Sequence, residues 1–414
     1  MELIQEQYKD TEIGRIPKDW EVVKIGKVAD CYGGTTPSTT VEEYWNGDIL
    51  WATPSDITKN NSEYLLSTDR KITEKGRASK NLRYVQKNGL LMTSRASIGF
   101  LNISNGDVVT NQGFINIECK NTYHFKFFYY WIINNRNLLV RYSQGSTFLE
   151  LYRKTFSKIN IPSPPLPEQQ KIAEILSTVD EQISTTQAII DKSKELKKGL
   201  MQKLFSEGIG HTEFKDTKIG RIPKDWEVVR LDEIIDFTNG KGHEKFIDEN
   251  GEYIVVNSKF ISQNGNVRKY SNELFSPLEK DDITMVMSDI PNGKALAKCF
   301  LIDTDNKYTL NQRICGLRIK DLNNSFPKFY FYVINRNRGY LKYNDGVGQT
   351  NLRRSEVLEC IPQFPPLPEQ QKIAEILSEA DAKIEKEENE KAKLEALKKG
   401  LMQQLLTGKK RVKV

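Results

Sequence analysis

Two long stretches of the chain place apolar residues at alternating spacings of three and four. These positions are Ile172, Leu176, Val179, Ile183, Ile190, Leu200 and Leu204 in the first stretch, and Ile373, Leu377, Ile384, Leu394, Leu401 and Leu405 in the second. Such spacing is typical of the core positions of a coiled coil. Polar residues, among them Thr186, Ser193, Glu387 and Lys391, fill the middle core positions. Each stretch predicts a helix of about 38 residues, roughly 57 Å long.

Outside these stretches, short apolar runs are separated by clusters of Gly, Asn, Ser and Asp. The runs at 49–51, 89–92 and 113–117 have the length and composition of strands. Residues 125–135 are strongly apolar and predict a buried helix. A mixture of this kind predicts an α+β domain ahead of each long helix.

The chain contains one unit written twice. The sequence Pro-Pro-Leu-Pro-Glu-Gln-Gln-Lys-Ile-Ala-Glu-Ile-Leu-Ser occurs at 164–177 and at 365–378. Lys-Lys-Gly-Leu-Met-Gln occurs at 197–202 and 398–403, and Ile-Gly-Arg-Ile-Pro-Lys-Asp-Trp-Glu-Val-Val at 13–23 and 219–229. The residues between these motifs differ, apart from local matches. The sequence therefore predicts two domains of one fold with different surfaces.

We expect an α+β protein with a pseudo-two-fold internal repeat, in which two globular α+β domains are separated by two long antiparallel coiled-coil helices. The predicted segments are a first domain at 1–163, a first helix at 164–207, a second domain at 208–364 and a second helix at 365–414. Two equal helices joined through an intervening domain pair most simply in antiparallel fashion.

Composition and charge narrow the classes of function. The formal net charge of +6 over 414 residues is a weak indication of a polyanionic partner. The five cysteines lack Cys-x-x-Cys spacing and the three histidines stand apart, so we predict reduced thiols and neither a disulfide nor a metal site. The sequence lacks a Gly-rich phosphate loop and a dinucleotide loop. We expect no catalytic residue and no bound cofactor.

The apolar runs and the N-terminal residues bear on location. The longest aromatic and aliphatic run, at 127–133, is too short to span a bilayer. The first ten residues lack the pattern of a secretory signal. We therefore expect a cytoplasmic protein without a membrane partner.

The repeated motifs resemble those of the specificity subunit of type I restriction-modification systems. The resemblance rests on the Pro-Pro-Leu-Pro-Glu-Gln-Gln-Lys-Ile motif at 164 and 365, on Ile-Gly-x-Ile-Pro-x-x-Trp at 13 and 219, and on Lys-Lys-Gly-Leu-Met-Gln near both helix ends. It covers both halves of the chain. It implies a non-catalytic DNA-binding subunit whose two target-recognition domains each recognise one half of a split, asymmetric site on double-stranded DNA.

The same resemblance implies partners. The helices are expected to hold the domains apart and to dock two methyltransferase (modification) subunits, which restriction (translocase) subunits then join. S-adenosylmethionine, ATP and Mg²⁺ are expected in those partner subunits only.

The resemblance does not fix the base-contacting residues, because the two domains differ. We predict them from polar loops, as Ser55, Asp56, Ser94, Arg95, Asn111, Gln112, Ser146 and Thr147 in the first domain, and Asn257, Lys259, Ser288, Asp289, Asn311, Gln312, Gln349 and Thr350 in the second. Arg95 suits guanine and Gln112 suits adenine. The alternative for any of them is a turn-capping role. Asn-Gln recurs in both halves, which suits a shared structural or phosphate contact.

Two other functions fit the sequence less well. A coiled-coil scaffold without DNA recognition would show no salt-sensitive DNA binding together with its partner. A self-contained methyltransferase or nuclease would show turnover as the purified chain.

Overall fold

The structure is a computed structural model that describes residues 8–60, 62–145, 149–289, 294–342 and 350–413. The chain divides into two compact units. Unit 1 comprises Met1–Gln187 and Asn389–Val414, and unit 2 comprises Ala188–Glu388. Each unit therefore combines one globular domain with the first half of one long helix and the second half of the other.

The strands are β1 (Tyr8–Thr11), β2 (Gly14–Pro17), β3 (Glu21–Lys24), β4 (Ala29–Tyr32), β5 (Trp45–Ala52), β6 (Tyr64–Leu65), β7 (Lys71–Ile72), β8 (Leu90–Thr93), β9 (Leu101–Ser104), β10 (Val108–Thr110), β11 (Phe114–Cys119), β12 (Asn160–Ser163), β13 (Phe214–Thr217), β14 (Gly220–Pro223), β15 (Glu227–Val228), β16 (Ile235–Asn239), β17 (Tyr253–Val256), β18 (Tyr270–Ser271), β19 (Pro277–Leu278), β20 (Ile283–Val286), β21 (Ser288–Asp289), β22 (Cys299–Leu301), β23 (Tyr308–Leu310), β24 (Ile314–Ile319), β25 (Thr350–Asn351) and β26 (Gln363–Phe364).

The α-helices are α1 (Ile25–Val28), α2 (Pro54–Lys59), α3 (Glu74–Ser79), α4 (Phe125–Asn134), α5 (Arg136–Arg141), α6 (Arg153–Phe156), α7 (Leu166–Glu207), α8 (Leu231–Ile234), α9 (Ser258–Ser262), α10 (Pro327–Ile334), α11 (Arg338–Leu341), α12 (Arg354–Leu358) and α13 (Leu367–Leu405). Short 3₁₀ turns lie at Glu42–Tyr44 and Glu244–Phe246.

The globular part of unit 1 is built on two sheets. One has the strand order β4-β11-β8-β9-β6, and the other has the order β10-β5-β7. The predicted buried helix is α4, in which Phe127, Phe128 and Tyr130 are fully buried. These aromatic side chains join the apolar faces of β8, β9 and β11 in one core that also contains Ile172 and Leu176 of α7. The domain thus folds directly onto the start of the long helix.

The globular part of unit 2 repeats this plan. Its sheets have the orders β16-β24-β20-β22 and β18-β17-β23-β19. Helix α10 takes the place of α4, and its Phe329, Tyr330 and Tyr332 are buried. The core again includes the start of a long helix, through Ile373 and Leu377 of α13. The α+β fold with an internal repeat is confirmed.

Helices α7 and α13 have 42 and 39 residues and pair in antiparallel fashion within each unit. In unit 1 Lys398 lies 2.6 Å from Asp180. In unit 2 Lys197 lies 2.5 Å from Asp381, and Lys194 lies 2.6 Å from Glu388. Residue numbers rise along one helix as they fall along the other, which confirms the predicted orientation.

All thirteen apolar residues predicted for the coiled-coil core are buried or half-buried. Nine of them are buried, and Ile183, Leu200, Leu394 and Leu401 are half-buried. Buried members near the helix starts and, for Leu204 and Leu405, near the helix ends belong to the cores of the domains. In the polar middle, Thr186 is buried and donates a hydrogen bond to the carbonyl of Gln182 on its own helix, at 2.9 Å.

A carboxylate in the first turn of each long helix, buried for Glu168 and half-buried for Glu369, joins the repeated motifs. Trp20 Nε1 donates to Glu168 Oε2 at 2.9 Å in unit 1. Trp226 Nε1 donates to Glu369 Oε2 at 2.8 Å in unit 2. Both tryptophans are fully buried. The Ile-Pro-x-x-Trp motif and the Pro-Glu-Gln-Gln motif are therefore two halves of one contact.

The second partner of the carboxylate comes from the residues that follow the other half-helix, and it differs between the units. In unit 1 Arg411 donates to both oxygens of Glu168, at 2.7 and 2.9 Å. Arg411 also binds Asp19, and this hydrogen bond lowers the pKa of that carboxyl group. In unit 2 His211 Nε2 lies 2.9 Å from Glu369 Oε1.

Each domain is fastened to its helix by two further polar contacts. Gln169 donates to the carbonyl of Pro164 and accepts from the backbone of His124, which immediately precedes α4. Tyr130 of α4 donates to Asp180 at 2.8 Å, the same carboxylate that pairs with Lys398. In unit 2 the equivalent residues Gln370, Tyr332, Asp381 and Lys197 repeat these contacts.

We predict that Arg411→Ala loosens unit 1 while it leaves unit 2 intact. The change leaves the buried carboxylate of Glu168 with its tryptophan partner alone. Because the Arg411 side chain is 40% exposed, the expected loss is about 1–2 kcal/mol of local stability. Hydrogen–deuterium exchange should accelerate in β1, β2 and the end of α13, and not in β13 or β14. Lys410→Ala, one residue away and exposed, is the matched control. Equal acceleration in both units would contradict the assignment.

Candidate nucleic-acid interface

The polar loops that the sequence analysis selected in the first domain come together in unit 1. Strands β5 and β10 are parallel neighbours, so their carboxyl ends lie side by side. Asn111 N donates to the carbonyl of Ala52 at 3.0 Å, which joins the loop after β10 to the loop before α2. Ser94 N donates to Gly113 O at 2.8 Å, and Leu151 N donates to Ser94 O at 2.9 Å. The segments around 53–56, 94–95, 111–113 and 149–151 thus form one surface.

Unit 2 brings its own loops together through equivalent bonds. Strands β17 and β23 are parallel, and Asn311 N donates to Val256 O at 3.1 Å. Met287 N donates to Arg313 O at 3.0 Å, and Leu352 N donates to Met287 O at 2.7 Å. The two surfaces share their backbone hydrogen bonds and the Asn-Gln pair, and differ in other side chains.

A fifth segment reaches each surface, and the sequence analysis missed it. In unit 1 Thr35 N donates to Thr110 O at 2.9 Å, and in unit 2 Lys241 N donates to Leu310 O at 3.0 Å. Gly34 and Gly240 precede these residues, and a Cβ on either would collide with the backbone of the loop beside it. The signal in the sequence was the pair of Gly-containing loops, Gly33-Gly34 and Gly240-Lys241-Gly242.

Two side chains on the unit 1 surface carry hydrogen-bonding groups and are exposed enough to contact a ligand. Arg95 is exposed, and its Nε donates to Glu150 at 2.9 Å. This hydrogen bond uses Nε and orients the guanidinium group. Within the described residues it leaves the two terminal nitrogens to donate to another acceptor. Gln112 is exposed and its Oε1 accepts from Thr36 at 2.6 Å. Thr36 belongs to the segment that the sequence analysis missed.

Other predicted residues of unit 1 have contacts within the domain. Asp56 is 7% exposed and accepts from the backbone and hydroxyl of Thr53 and from Asp69 N, at 2.6–2.7 Å. Ser94 is buried, and Asn111 Oδ1 accepts from Gly113 N at 2.8 Å. Ser55 is exposed. Ser146 and Thr147 lie outside the described residues.

Unit 2 shows the same mixture. Lys259 and Gln312 are exposed, and Gln312 Nε2 donates to Glu244 at 2.8 Å. Asn257 caps α9 by accepting from Phe260 N at 2.9 Å, and Asp289 accepts from Ala295 N at 2.8 Å.

The remaining predicted residues of unit 2 are less accessible or lie beyond the description. Ser288 is buried and Asn311 is half-buried. The backbone of Thr350 pairs with that of Asp289. Gln349 lies outside the described residues. Which of the predicted residues contact DNA stays a prediction.

The exposed cations at the unit 2 surface include two lysines and Arg313. Lys241 and Lys259 are exposed, and Lys241 belongs to the segment that the sequence analysis missed. Lys298, in contrast, donates to Ser262 O at 2.7 Å. Its burial, with a smaller effect of Arg336, lowers the pKa of its amine. Lys298 is thus turned into the domain.

Three structural observations bear on other classes of site. Within the described ranges, no group of three or more His, Cys, Asp or Glu side chains is placed to hold a metal ion. All five cysteines are free. None of the helices in the described part of the chain has the length and apolar content needed to cross a membrane.

The comparisons with known sequences point to one family. A family model described as "Type I restriction modification DNA specificity domain" matches the chain twice, at residues 17–195 and 223–396. The MjaIX type I restriction enzyme specificity subunit of Methanocaldococcus jannaschii is 39% identical over 245 residues, which span 56% of each protein. The MjaVIII specificity subunit of the same organism is 29% identical over 427 residues, covering 99% of this chain and 97% of the relative.

Solved structures share the fold. The type I restriction-modification S subunit from M. genitalium superposes with a TM-score of 0.59 at 16% identity, over 93% of this chain and 96% of that one. A chain from a structural study of complex assembly in a type I R-M system gives a TM-score of 0.56 at 15% identity, over 95% and 99% of the two chains. Both likenesses concern the fold alone.

We predict that Asp56→Ala destabilises unit 1 and that Ser55→Ala, its exposed neighbour, does not. Asp56 satisfies three donors from a buried position, so its loss should cost about 1–3 kcal/mol of unfolding free energy. The control should stay within about 0.5 kcal/mol. Denaturant unfolding followed by tryptophan fluorescence reports mainly on unit 1, which holds Trp20, Trp45, Trp51 and Trp131 of the five tryptophans. Equal stability of the two variants would make a capping role for Asp56 untenable.

Proposed function

The chain belongs to the type I restriction-modification DNA specificity family, and we propose that it is the subunit that recognises the target sequence on double-stranded DNA for a methyltransferase complex. Each unit recognises one half of a bipartite, asymmetric site. The chain itself is non-catalytic and acts in the cytoplasm.

One observation carries this proposal. In each unit, five loop segments meet at one surface through equivalent backbone hydrogen bonds, yet several of the exposed side chains differ. Unit 1 presents Arg95, unit 2 presents Lys241 and Lys259, and both present a glutamine at the equivalent position, Gln112 and Gln312. A constant backbone with different hydrogen-bonding groups is the arrangement that two different half-sites require.

The side chains suit distinct parts of the DNA. The terminal nitrogens of Arg95 fit the O6 and N7 acceptors of guanine, and the amide of Gln112 fits the N6 and N7 groups of adenine. Lys241 and Lys259 fit phosphates, which supply salt-dependent affinity without sequence information. Mismatches cost ~1–3 kcal/mol per base pair, so specificity adds up from both half-sites.

The long helices bind the partner subunits and set the spacing between the two half-sites. Because α7 and α13 carry the same motifs, two copies of one methyltransferase subunit can bind through equivalent surfaces. The helices set the distance between half-sites, near one DNA turn. Linking two weak binding units raises affinity by about 10²–10⁴ over either alone. Restriction (translocase) subunits join this complex, and S-adenosylmethionine, ATP and Mg²⁺ are bound by the partner subunits.

We predict that exchange of residues 24–160 for the same segment of another family member changes one half of the methylated motif. The exchange joins at Lys24 and Asn160, which are paired in the β3–β12 ladder, so both junctions fall at one place in the fold. Methylome sequencing of a host that expresses the chain with its modification subunit measures the motif.

The control for this exchange is a host that lacks the chain, in which the motif should disappear. A motif that stays unchanged after the exchange, or that is a single uninterrupted sequence, would mean that the units do not each recognise a half-site.

We also predict different outcomes for two exposed cations. Arg95→Ala should weaken binding of the target by about 5–150-fold, the equivalent of ~1–3 kcal/mol, and relax specificity at one position. Lys241→Ala should weaken binding to all sequences similarly and lower the salt slope by about one. Fluorescence anisotropy of the chain with its modification subunit, at several salt concentrations and on single-base variants of the target, separates the two. An unchanged base preference in Arg95→Ala would exclude it from base recognition.

A further inference from the structure

The glutamine that follows the repeated asparagine is held in opposite directions in the two units. In unit 1 the side-chain oxygen of Gln112 accepts from Thr36 Oγ1 at 2.6 Å. In unit 2 the side-chain nitrogen of Gln312 donates to Glu244 Oε1 at 2.8 Å. Both glutamines are exposed. Among the described residues, the nitrogen of Gln112 and the oxygen of Gln312 are left without a partner, so unit 1 offers a donor to a ligand and unit 2 offers an acceptor.

The direction of the Gln312 amide follows from the chemistry of its partner. A carboxylate accepts hydrogen bonds and does not donate them, so Glu244 binds the nitrogen end of the amide and excludes the oxygen end. A hydroxyl group both donates and accepts. Thr36 donates in this structure, but it is able to bind either end of the Gln112 amide. Glu244 therefore fixes the amide of unit 2 more strictly than Thr36 fixes that of unit 1.

Glu244 is itself positioned by a buried histidine. His243 is fully buried, with Nδ1 2.8 Å from Lys241 O and Nε2 2.8 Å from Thr309 Oγ1. Thr309 belongs to β23, the strand that leads to Gln312. Glu244 follows the histidine and begins a 3₁₀ turn. His243 thus ties the start of this turn to the strand that precedes the glutamine.

One loop position explains why the glutamines have different partners. Unit 1 has Thr36 two residues after Gly34, and unit 2 has Gly242 two residues after Gly240. A Cβ on Gly242 would lie 2.7 Å from Glu244 Oε2. A threonine at this position of unit 2 would therefore displace the carboxylate. The glycine leaves the space in which Glu244 reaches the glutamine.

A free acceptor at a DNA-binding surface has few possible partners. Phosphate oxygens are acceptors and carry negative charge, so they repel Glu244 and offer no donor to the oxygen of Gln312. In the major groove, where glutamine side chains recognise bases, the donors are the amino groups at N6 of adenine and N4 of cytosine. Guanine and thymine present a keto oxygen, O6 or O4, in the place of these groups. The Glu244–Gln312 pair thus suits base recognition and does not suit a phosphate contact.

We propose that Gln312, oriented by Glu244, accepts a hydrogen bond from a base amino group in the half-site of unit 2, and this rests on the function proposed above. Adenine is then preferred to guanine, or cytosine to thymine, at one position. Gln312 contacts the base, and Glu244 is a positioning residue that determines specificity. The same glutamine in unit 1 offers a donor, so one repeated side chain recognises different chemical groups in the two half-sites.

The test measures the base preference of the full chain bound to its modification subunit. The probes are DNA duplexes that carry the target found by methylome sequencing, together with each of its single-base variants, and fluorescence anisotropy gives their affinities. Gln312→Ala should reduce the preference at one position, and the target should have adenine or cytosine there. Glu244→Gln should reduce the preference at the same position by at least about fivefold, because an amide can donate to Gln312 as well as accept from it.

A double variant should reverse the preference. Gly242→Thr combined with Glu244→Ser gives unit 2 the residues that unit 1 has at positions 36 and 38. The introduced threonine hydroxyl can donate to the oxygen of Gln312 and leave its nitrogen for the base. The preference should then move from adenine to guanine, or from cytosine to thymine. Unchanged preferences in the half-site of unit 1 would show that the variant is folded.

Glu249→Gln is the matched control for the loss of charge. Glu249 is exposed and lies five residues after Glu244. Loss of either carboxylate removes one negative charge, so both Glu→Gln variants should bind all duplexes somewhat more tightly. The base preference should change in Glu244→Gln alone. An equal change in both variants would attribute the effect to charge and overturn the proposal.

The remaining outcomes separate this inference from the function it rests on. A wild type with a bipartite target, and Glu244 variants with unchanged preference at every position, would overturn the role of Glu244 and leave DNA recognition untouched. The proposal also fails if Gln312→Ala weakens binding to all duplexes equally, or if the position that it identifies has guanine or thymine. A wild-type complex that binds every duplex equally contradicts the proposed function itself.

Discussion

The architecture depends on a carboxylate at the start of each long helix that is largely shielded from water, more completely for Glu168 than for Glu369. The Glu168 side chain is 2% exposed, and burial of an unpaired charge there would be costly. Trp20, Arg411 and the positive end of the helix dipole together compensate it. These groups lie in three distant parts of the sequence, so the domain, the start of α7 and the end of α13 must meet for the charge to be satisfied. The repeated motifs occur in both halves of the chain because each unit has to compensate the charge of a carboxylate at the start of its long helix.

Fixing the helix start also fixes where the variable loops lie within their unit. Gln169 and Tyr130 attach α4 to α7, and Gln370 and Tyr332 attach α10 to α13 in the same way. The sheets pack on these short helices, and the loops follow from the parallel strand pairs of the sheets. The surface loops can therefore change their side chains without moving their backbone, which suits the proposed recognition of a different DNA sequence by each unit.

Sequence periodicity predicted what depends on spacing and failed where a residue's role depends on distant contacts. The long helices, their pairing and the buried aromatic helix followed from apolar patterns and from the repeats. Asp56 and Asn257 were chosen as polar loop residues. Asn257, however, precedes α9 and caps it, and Asp56 lies in the first turn of α2, where its carboxylate accepts from the backbone of Thr53. The loops of Gly34 and Gly240 were missed because close backbone approach leaves no mark beyond a glycine. The roles of Arg411 and His211 could not be predicted, because they depend on where the residues that follow each long helix lie in the folded protein.

In the coiled coil too, apolar packing and specific ion pairs have different roles. Apolar core positions recur along both helices, so they alone do not stop one helix from shifting along the other. Specific ion pairs between the helices fix the register. A shift of one heptad would move Lys398 by ~10 Å along the helix axis, far from Asp180 in unit 1, and would take Lys197 from Asp381 in unit 2. It would also separate Arg411 from Glu168. The register is therefore set where each helix pair meets its domain. Closer to the middle of the helices, the ion pair of Lys194 and Glu388 in unit 2 supports the same register, so the polar residues there help to align the helices although they add little apolar burial.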